Sequence, residues 1–173
     1  NSLNFLDLHS SMFLYCDDIS IVSSADDPSL LKSSIKHDLA LISEWFKFHF
    51  LFPNIEKSKY LLFHNRRRNE FFTEQSLDLT LNDIIIERVE HIRLLGLEID
   101  ENLNFFHHIK DIKSKIVPFT FALRRMRHLI TEKTALLMYY GYIQSRIMYM
   151  SPVWSAAPKY LIESVEIAQR KAL

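Results

Sequence analysis

The chain has 173 residues, 48% of them apolar, and its 21 Lys and Arg balance 21 Asp and Glu. That suits one ordinary domain or two small ones with a buried core, and it excludes wholesale disorder. Two glycines exclude collagen-like, linker-like and glycine-rich phosphate-loop proteins, while a lone cysteine excludes a disulfide framework and a CxxC zinc site and fits a reducing compartment. The neutral total hides a gradient. Residues 1–56 hold three basic and eight acidic side chains, residues 57–103 seven and nine, and residues 104–173 eleven and four. An acidic front and a basic back suggest a cation site followed by a polyanion-facing surface; a solvated helical face accounts for the same charges.

Residues 1–15 lack the basic start of a signal peptide and contain Asp7 and His9. Residues 11–15 and 19–22 are short β-prone runs around Cys16, Asp17 and Asp18, the pattern of a hairpin. Asp26-Asp27-Pro28 supplies an N-cap and an N-terminal proline. The spacing of Leu30, Leu31, Ile35, Leu39, Ile42, Trp45 and Phe46 then predicts an amphipathic helix over 28–48. A strand is expected over 60–63, a basic loop at Arg66-Arg67-Arg68-Asn69, and a hairpin over 77–81 and 84–86 joined by Asn82-Asp83. Residues 94–99 read as a strand in which Gly96 marks a bulge or a close backbone approach.

From about residue 105 the apolar period changes from two to 3.6. One helix is expected from about His107 to His128, kinked at Pro118. A second starts near Thr131 and carries Leu136, Leu137, Tyr140, Ile143 and Ile147. A third starts near Pro158 with Leu161, Ile162, Val165 and Ala168. The apolar stretch 134–158 reads as a buried helix. As a membrane span it would place Gln144, Ser145 and Arg146 at mid-bilayer and break at Pro152 and Pro158. The fold class is α+β.

Asp17 and Asp18 are the chemically sharpest pair. Adjacent carboxylates at a hairpin tip repel unless a cation compensates, and magnesium takes a few such hard oxygens together with substrate phosphates. Aspartates also form ordinary turns, so the pair alone does not choose. The order of features along the chain adds more. Tyr15-Cys16-Asp17-Asp18 is followed by Trp45 near a helix end, Asn54-Ile55-Glu56-Lys57-Ser58, a strand, Leu95-Gly96-Leu97, then Leu103, Phe105, His108 and Ile109, and finally Tyr149 and Trp154. This series resembles the reverse transcriptases of non-LTR (LINE, jockey-like) retrotransposons.

The resemblance implies an RNA-directed DNA polymerase, a transferase that copies retrotransposon RNA into DNA by two-metal nucleotidyl transfer. It implies part of a palm over 1–103 and a helical thumb over 104–173. Asp17 and Asp18 would hold Mg²⁺, with Mn²⁺ as the alternative ion, and Lys57 would steady the departing pyrophosphate. Tyr15 and Cys16 would lie near the primer end, and Leu95, Gly96 and Leu97 resemble the primer grip. Lys110, Lys113 and Arg124 would contact an RNA template and DNA primer, as would some of Lys115, Arg125 and Arg127; deoxynucleoside triphosphates are the substrates. Arg124, Arg125 and Arg127 do not share one helical face. Trp154, Tyr139, Tyr140, Tyr142 and Phe119 read as bundle core, and His107 and His108 diverge too far to ligate one metal.

Cys16 stands where Ala is commonest in that branch, Asn82-Asp83 where Asn-Gly is usual, and Met150 where the thumb has Gly. The family's other metal-binding Asp, its Gln-Gly motif and its fingers would precede residue 1, since Asn1-Ser2-Leu3 resembles the tail of the helix after the Gln-Gly motif. The 173 residues are therefore expected to be a fragment that does not polymerise by itself. The competing reading is a non-catalytic nucleic-acid-binding remnant; a purely structural helical module is the third. A nuclear location follows from the resemblance only.

Overall fold

The computed structural model describes residues 2–63 and 77–172, so the expected Arg66-Arg67-Arg68-Asn69 loop lies outside the described residues. The chain is α+β, with helices alongside four two-stranded sheets among the described residues. It divides into two compact units, Asn1–Val89 and Glu90–Leu173.

In the first unit, β1 (Ser11–Tyr15) and β2 (Asp18–Val22) form an antiparallel hairpin with Tyr15 opposite Asp18. Strand alternation puts Met12, Leu14, Ile19 and Ile21 on one face, and Ile21 packs on the core. Helix α1 (Pro28–Phe48) starts as its sequence predicts. The Asp27 carboxylate accepts the N–H of Ser29 at 3.0 Å and of Leu30 at 3.1 Å, and Pro28 fills the first turn.

The buried stripe of α1 differs from the expected one in three places, one of them Ser43, which is buried. Leu30 is 61% exposed, and Asp38 is fully buried. Asp38 sits three residues after Ile35 and four before Ile42, so the helix carries it inward. It accepts the N–H of His9 at 3.0 Å and of Ser10 at 2.9 Å, which ties the approach to β1 onto α1. Burial works to raise its pKa. The Ser10 side chain, the His9 and Ser10 N–H groups and His37 outweigh burial and hold the carboxyl below its ordinary 3.8.

A short 3₁₀ turn (Ile55–Lys57) precedes β3 (Lys59–Tyr60), which pairs in parallel with β6 (Glu87–Arg88). The expected strand over 60–63 is thus earlier and shorter. Leu62 leaves it to enter the core, and the Leu77 N–H bonds the Tyr60 hydroxyl at 3.1 Å. The hairpin at 77–86 forms with β4 (Thr80–Leu81) and β5 (Ile84–Ile85). Leu77, Leu79 and Leu81 alternate inward against Leu31, Leu39 and Ile86.

In the second unit, residues 94–99 are not one strand. They are the end of β7 (His91–Leu94), a two-residue turn at Leu95 and Gly96, and the start of β8 (Leu97–Asp100). Gly96 therefore turns a hairpin rather than marking a bulge. Asp100 closes the hairpin and is buried. Its carboxylate accepts the N–H groups of Asn102 and Asn104, both at 3.1 Å, and of Phe105 at 2.7 Å.

Those bonds shape the loop that launches α2 (Phe106–Met126), a helix that runs through Pro118. Ile109, Ile112, Ile116 and Leu123 bury one face of α2 against α6 (Lys159–Arg170), whose Leu161, Val165 and Ala168 complete the contact. The expected single helix over 134–158 is interrupted. It becomes α3 (Glu132–Met138) capped by Thr131, a π-helical turn (Tyr139–Gln144), α4 (Ser145–Met148) and α5 (Ser151–Trp154).

The π turn inserts an extra residue and rotates the inward stripe, so Tyr139 and Ile143 are buried while Leu136, Leu137 and Tyr140 are exposed. Gln169 on α6 donates to the Tyr139 hydroxyl at 2.7 Å and to Gln144 Oε1 at 2.9 Å, fixing that register. No helix among the described residues is long and apolar enough to cross a membrane.

A chain this poor in glycine builds its turns from other residues. Cys16, Asn82, Asp83, Leu95, Phe105 and Met150 all have left-handed φ, between 50° and 66° apart from Leu95 at 47°. Asn82 (φ 50°) and Asp83 (φ 66°) form the two-residue turn between β4 and β5, whose geometry favours Asn-Gly. Met150 (φ 50°) stands before α5 in the same region.

Two outcomes follow for stability, both measurable by urea unfolding. Replacing the exposed Asp83 by glycine raises stability by about 0.5–1 kcal/mol, because strain is relieved with no packing lost. Asp38→Ala lowers it by about 3 kcal/mol, since two N–H groups lose their buried acceptor.

Candidate functional site: an acidic hairpin and a basic helix

The β1–β2 turn consists of Cys16 and Asp17, with Cys16 at φ 54°. A left-handed residue in the first turn position matches the right-handed twist of the strands and lets two residues connect them. Asp17 is thereby held at the tip and Asp18 at the first position of β2, side by side along the chain. Both are exposed, and among the described residues neither carboxylate has a hydrogen bond or ion pair. Tyr15, 63% exposed, stands opposite Asp18 on the outer face, and Cys16 is a free exposed thiol.

Two hard oxygen donors suit Mg²⁺, which is commonly held by one or two carboxylates with water and phosphate oxygens filling the other positions. Among the described residues, no cluster of three His, Cys, Asp or Glu side chains forms a metal site. The pair fits a protein's share of such a site, and other oxygens must complete it.

Lys57 ends the 3₁₀ turn that follows α1. Asn54 caps this turn by accepting the Lys57 N–H at 3.2 Å, and the Ser58 hydroxyl donates to the Asn54 carbonyl at 2.9 Å. The spacing of Asn54, Lys57 and Ser58 therefore has a local structural cause. The Lys57 ammonium is exposed and, among the described residues, unpaired, so no bond joins it to Asp17 or Asp18.

In the second unit, Leu95 and Gly96 are half-buried at the tip of the β7–β8 hairpin, and Leu97 turns inward to the core. The Tyr149 hydroxyl donates to the Leu95 carbonyl and its ring covers Gly96, where an added Cβ would meet Tyr149 Cε1 at 3.4 Å. Gly96 has φ 83°, so its place rests on backbone geometry as well as on space.

Phe105, His108 and Ile109 are buried and Leu103 is half-exposed, so this stretch is mainly core. His108 Nδ1 accepts the Glu98 N–H at 3.4 Å, while its buried Nε2 has no hydrogen-bond partner. Desolvation lowers the His108 pKa below 6.5 against the opposing pull of Asp111 and Glu98.

The basic residues lie mostly on α2. At 100° per residue, Lys110, Lys113 and Arg124 fall within a sector of about 60°. None of the three has an ion-pair partner among the described residues. Lys115 lies elsewhere on the helix and is paired with Asp111. Arg125 is exposed, and Arg127 stands at the C-cap. Of the expected core aromatics, Trp154 and Tyr139 are buried, whereas Tyr140 is 59% exposed because the π turn swings it outward. Tyr142, at the edge of exposure, stacks on Phe119 at 4.0 Å.

Sequence reasoning passed over Asp38, Asp100 and Tyr149's bond to Leu95. Asp38 was visible as an acid at core spacing. Asp100 was visible as the first residue of Asp-x-Asn-x-Asn, a turn-forming run.

The buried His108 sets a pH window. Below pH 6.5 the unfolded chain takes a proton that folded His108 refuses, so stability falls from there down to the lowered folded pKa. The slope reaches at most about 1.4 kcal/mol per pH unit. Urea midpoints measured between about pH 7 and pH 5 show this loss, and His108→Gln removes it.

No protein-family model, no curated protein and no solved structure matches this chain.

Proposed function

We propose that the chain is the palm-and-thumb part of an RNA-directed DNA polymerase of a non-LTR retrotransposon, working on an RNA template and a DNA primer in the nucleus. The observation that carries this reading is the tight hairpin that leaves Asp17 and Asp18 adjacent, exposed and unpaired. Left-handed Asp83 and Met150 support it, because they are two positions where the resembled enzymes carry glycine. So does the unpaired basic sector on α2.

Asp17 and Asp18 would hold Mg²⁺, which when bound supplies positive charge to triphosphate oxygens. Lys110, Lys113 and Arg124 would grip phosphates without reading sequence, and such binding weakens with salt. Tyr15 and Cys16 would flank the primer end, Leu95 and Gly96 would present a hairpin tip to the primer strand, and Lys57 would stand by the leaving pyrophosphate. Asp17 and Asp18 would be one acidic part of that site, with other oxygens completing the ion's shell.

The test binds a fluorescent RNA–DNA template–primer to the chain between about 50 and 200 mM salt. Affinity is expected to fall steeply with salt, to drop about tenfold in Lys110→Glu/Arg124→Glu, and to be unchanged in Asp17→Ala. Mn²⁺ is expected to broaden the amide signals of residues 16–19, an effect absent in Asp17→Ala. Salt-independent or absent binding defeats the proposal. Binding without the Mn²⁺ effect leaves only the nucleic-acid-binding remnant.

A further inference from the structure

We infer that the groove between α2 and α6 is a docking site for an acidic amphipathic helix of a protein partner. Val117 and Phe121 from α2 and Ile167 from α6 give it an apolar lining. Phe121 is 61% exposed and Ile167 49% exposed, a large share for apolar side chains lining one concavity. Its rim is cationic, with Lys113 and Arg124 on one side and Lys171 on the other.

Among the described residues, no ion pair compensates the cations of this groove. The acids of these two helices are each matched with a neighbour one turn away: Asp111 with Lys115, Glu163 with Lys159, and Glu166 with Arg170. Lys113, Arg124 and Lys171 have no such partner among the described residues, and no acid lines the groove. Three uncompensated cations around an apolar lining call for an occupant that is apolar on one side and acidic at its edges.

Phosphate contacts explain the cations but not the apolar lining. A single-stranded nucleic acid would need a series of aromatic platforms, and Phe121 is the one aromatic side chain among the residues that line the groove. The groove volume, about 240 Å³, is also below the roughly 300–1,000 Å³ of ordinary small-molecule pockets. A helix laid along a trough between two helices meets both demands. Lys113 and Arg124 are separated by eleven residues, about 16 Å along α2, so the occupant spans roughly three helical turns. It would compete with nucleic acid for Lys113 and Arg124, yet its binding does not depend on the polymerase reading.

The probe is a labelled synthetic peptide of about five helical turns, with Leu at i, i+3, i+4 and i+7, Glu on both flanks and Ala elsewhere. A scrambled peptide of the same composition and a Lys-flanked version are its controls. The full chain is expected to bind the acidic peptide about tenfold more tightly than the scrambled one, and Phe121→Ser and Ile167→Ser each to lose about that factor. Both replaced side chains are substantially exposed, and far-ultraviolet circular dichroism checks that the variants fold. Lys113→Glu/Arg124→Glu is expected to reject the acidic peptide and accept the Lys-flanked one. Equal binding of the acidic and scrambled peptides overturns the inference. So does a groove variant that weakens binding of a single-stranded oligonucleotide while leaving the acidic peptide untouched, since nucleic acid is then the occupant.

Discussion

A buried carboxylate bonded to backbone N–H groups is the interaction on which each half of this molecule depends. An ionised carboxyl taken out of water is costly unless donors surround it, and backbone N–H groups are donors that a loop presents only in one conformation. Asp38 therefore dictates the path of His9 and Ser10, and with it where the β1–β2 hairpin leaves α1. Asp100 likewise dictates the path of Asn102, Asn104 and Phe105, and with it where α2 begins. The acidic hairpin tip and the basic sector of α2 are each positioned by one buried aspartate.

Glycine scarcity is the second constraint. Tight reversals need left-handed backbone, which costs an ordinary side chain of order 1 kcal/mol. The chain makes the Cys16, Asn82-Asp83, Leu95 and Met150 turns regardless. It offsets the strain with packing and specific bonds: Tyr149 to the Leu95 carbonyl, Ser43 to the Asn82 side chain, and Met150 against the second core. The hairpins form without the residues best suited to their turns because cross-strand pairing and the buried strand faces favour them.

The two candidate surfaces differ in what they ask of a ligand. The hairpin tip offers two adjacent, unpaired carboxylates, so it suits a hard cation with phosphate. The α2–α6 trough offers three cations around an apolar lining and suits an extended anionic partner with an apolar side. Both features rest on charges without an ion-pair partner among the described residues, while the acids of α2 and α6 are matched within their own helices.

Sequence by itself determined the elements whose signals are local. Asp27-Pro28 began α1, the alternation of Leu77, Leu79 and Leu81 marked the second hairpin, and Thr131 and Pro158 marked two helix starts, because capping and strand alternation act within a few residues. The Tyr15-Cys16-Asp17-Asp18 tip was legible for the same reason. Tertiary structure alone decided which apolar residues faced inward. It exposed Leu30, Leu136, Leu137 and Tyr140 and buried Asp38, Asp100 and His108. The π turn that rotates Tyr139 into the core is held by Gln169, thirty residues along the chain, and a bond of that reach leaves no trace in the local apolar period. The hairpin turn at Leu95 and Gly96 is likewise secured from afar, by Tyr149, and so the same letters that read as a strand fold as a turn.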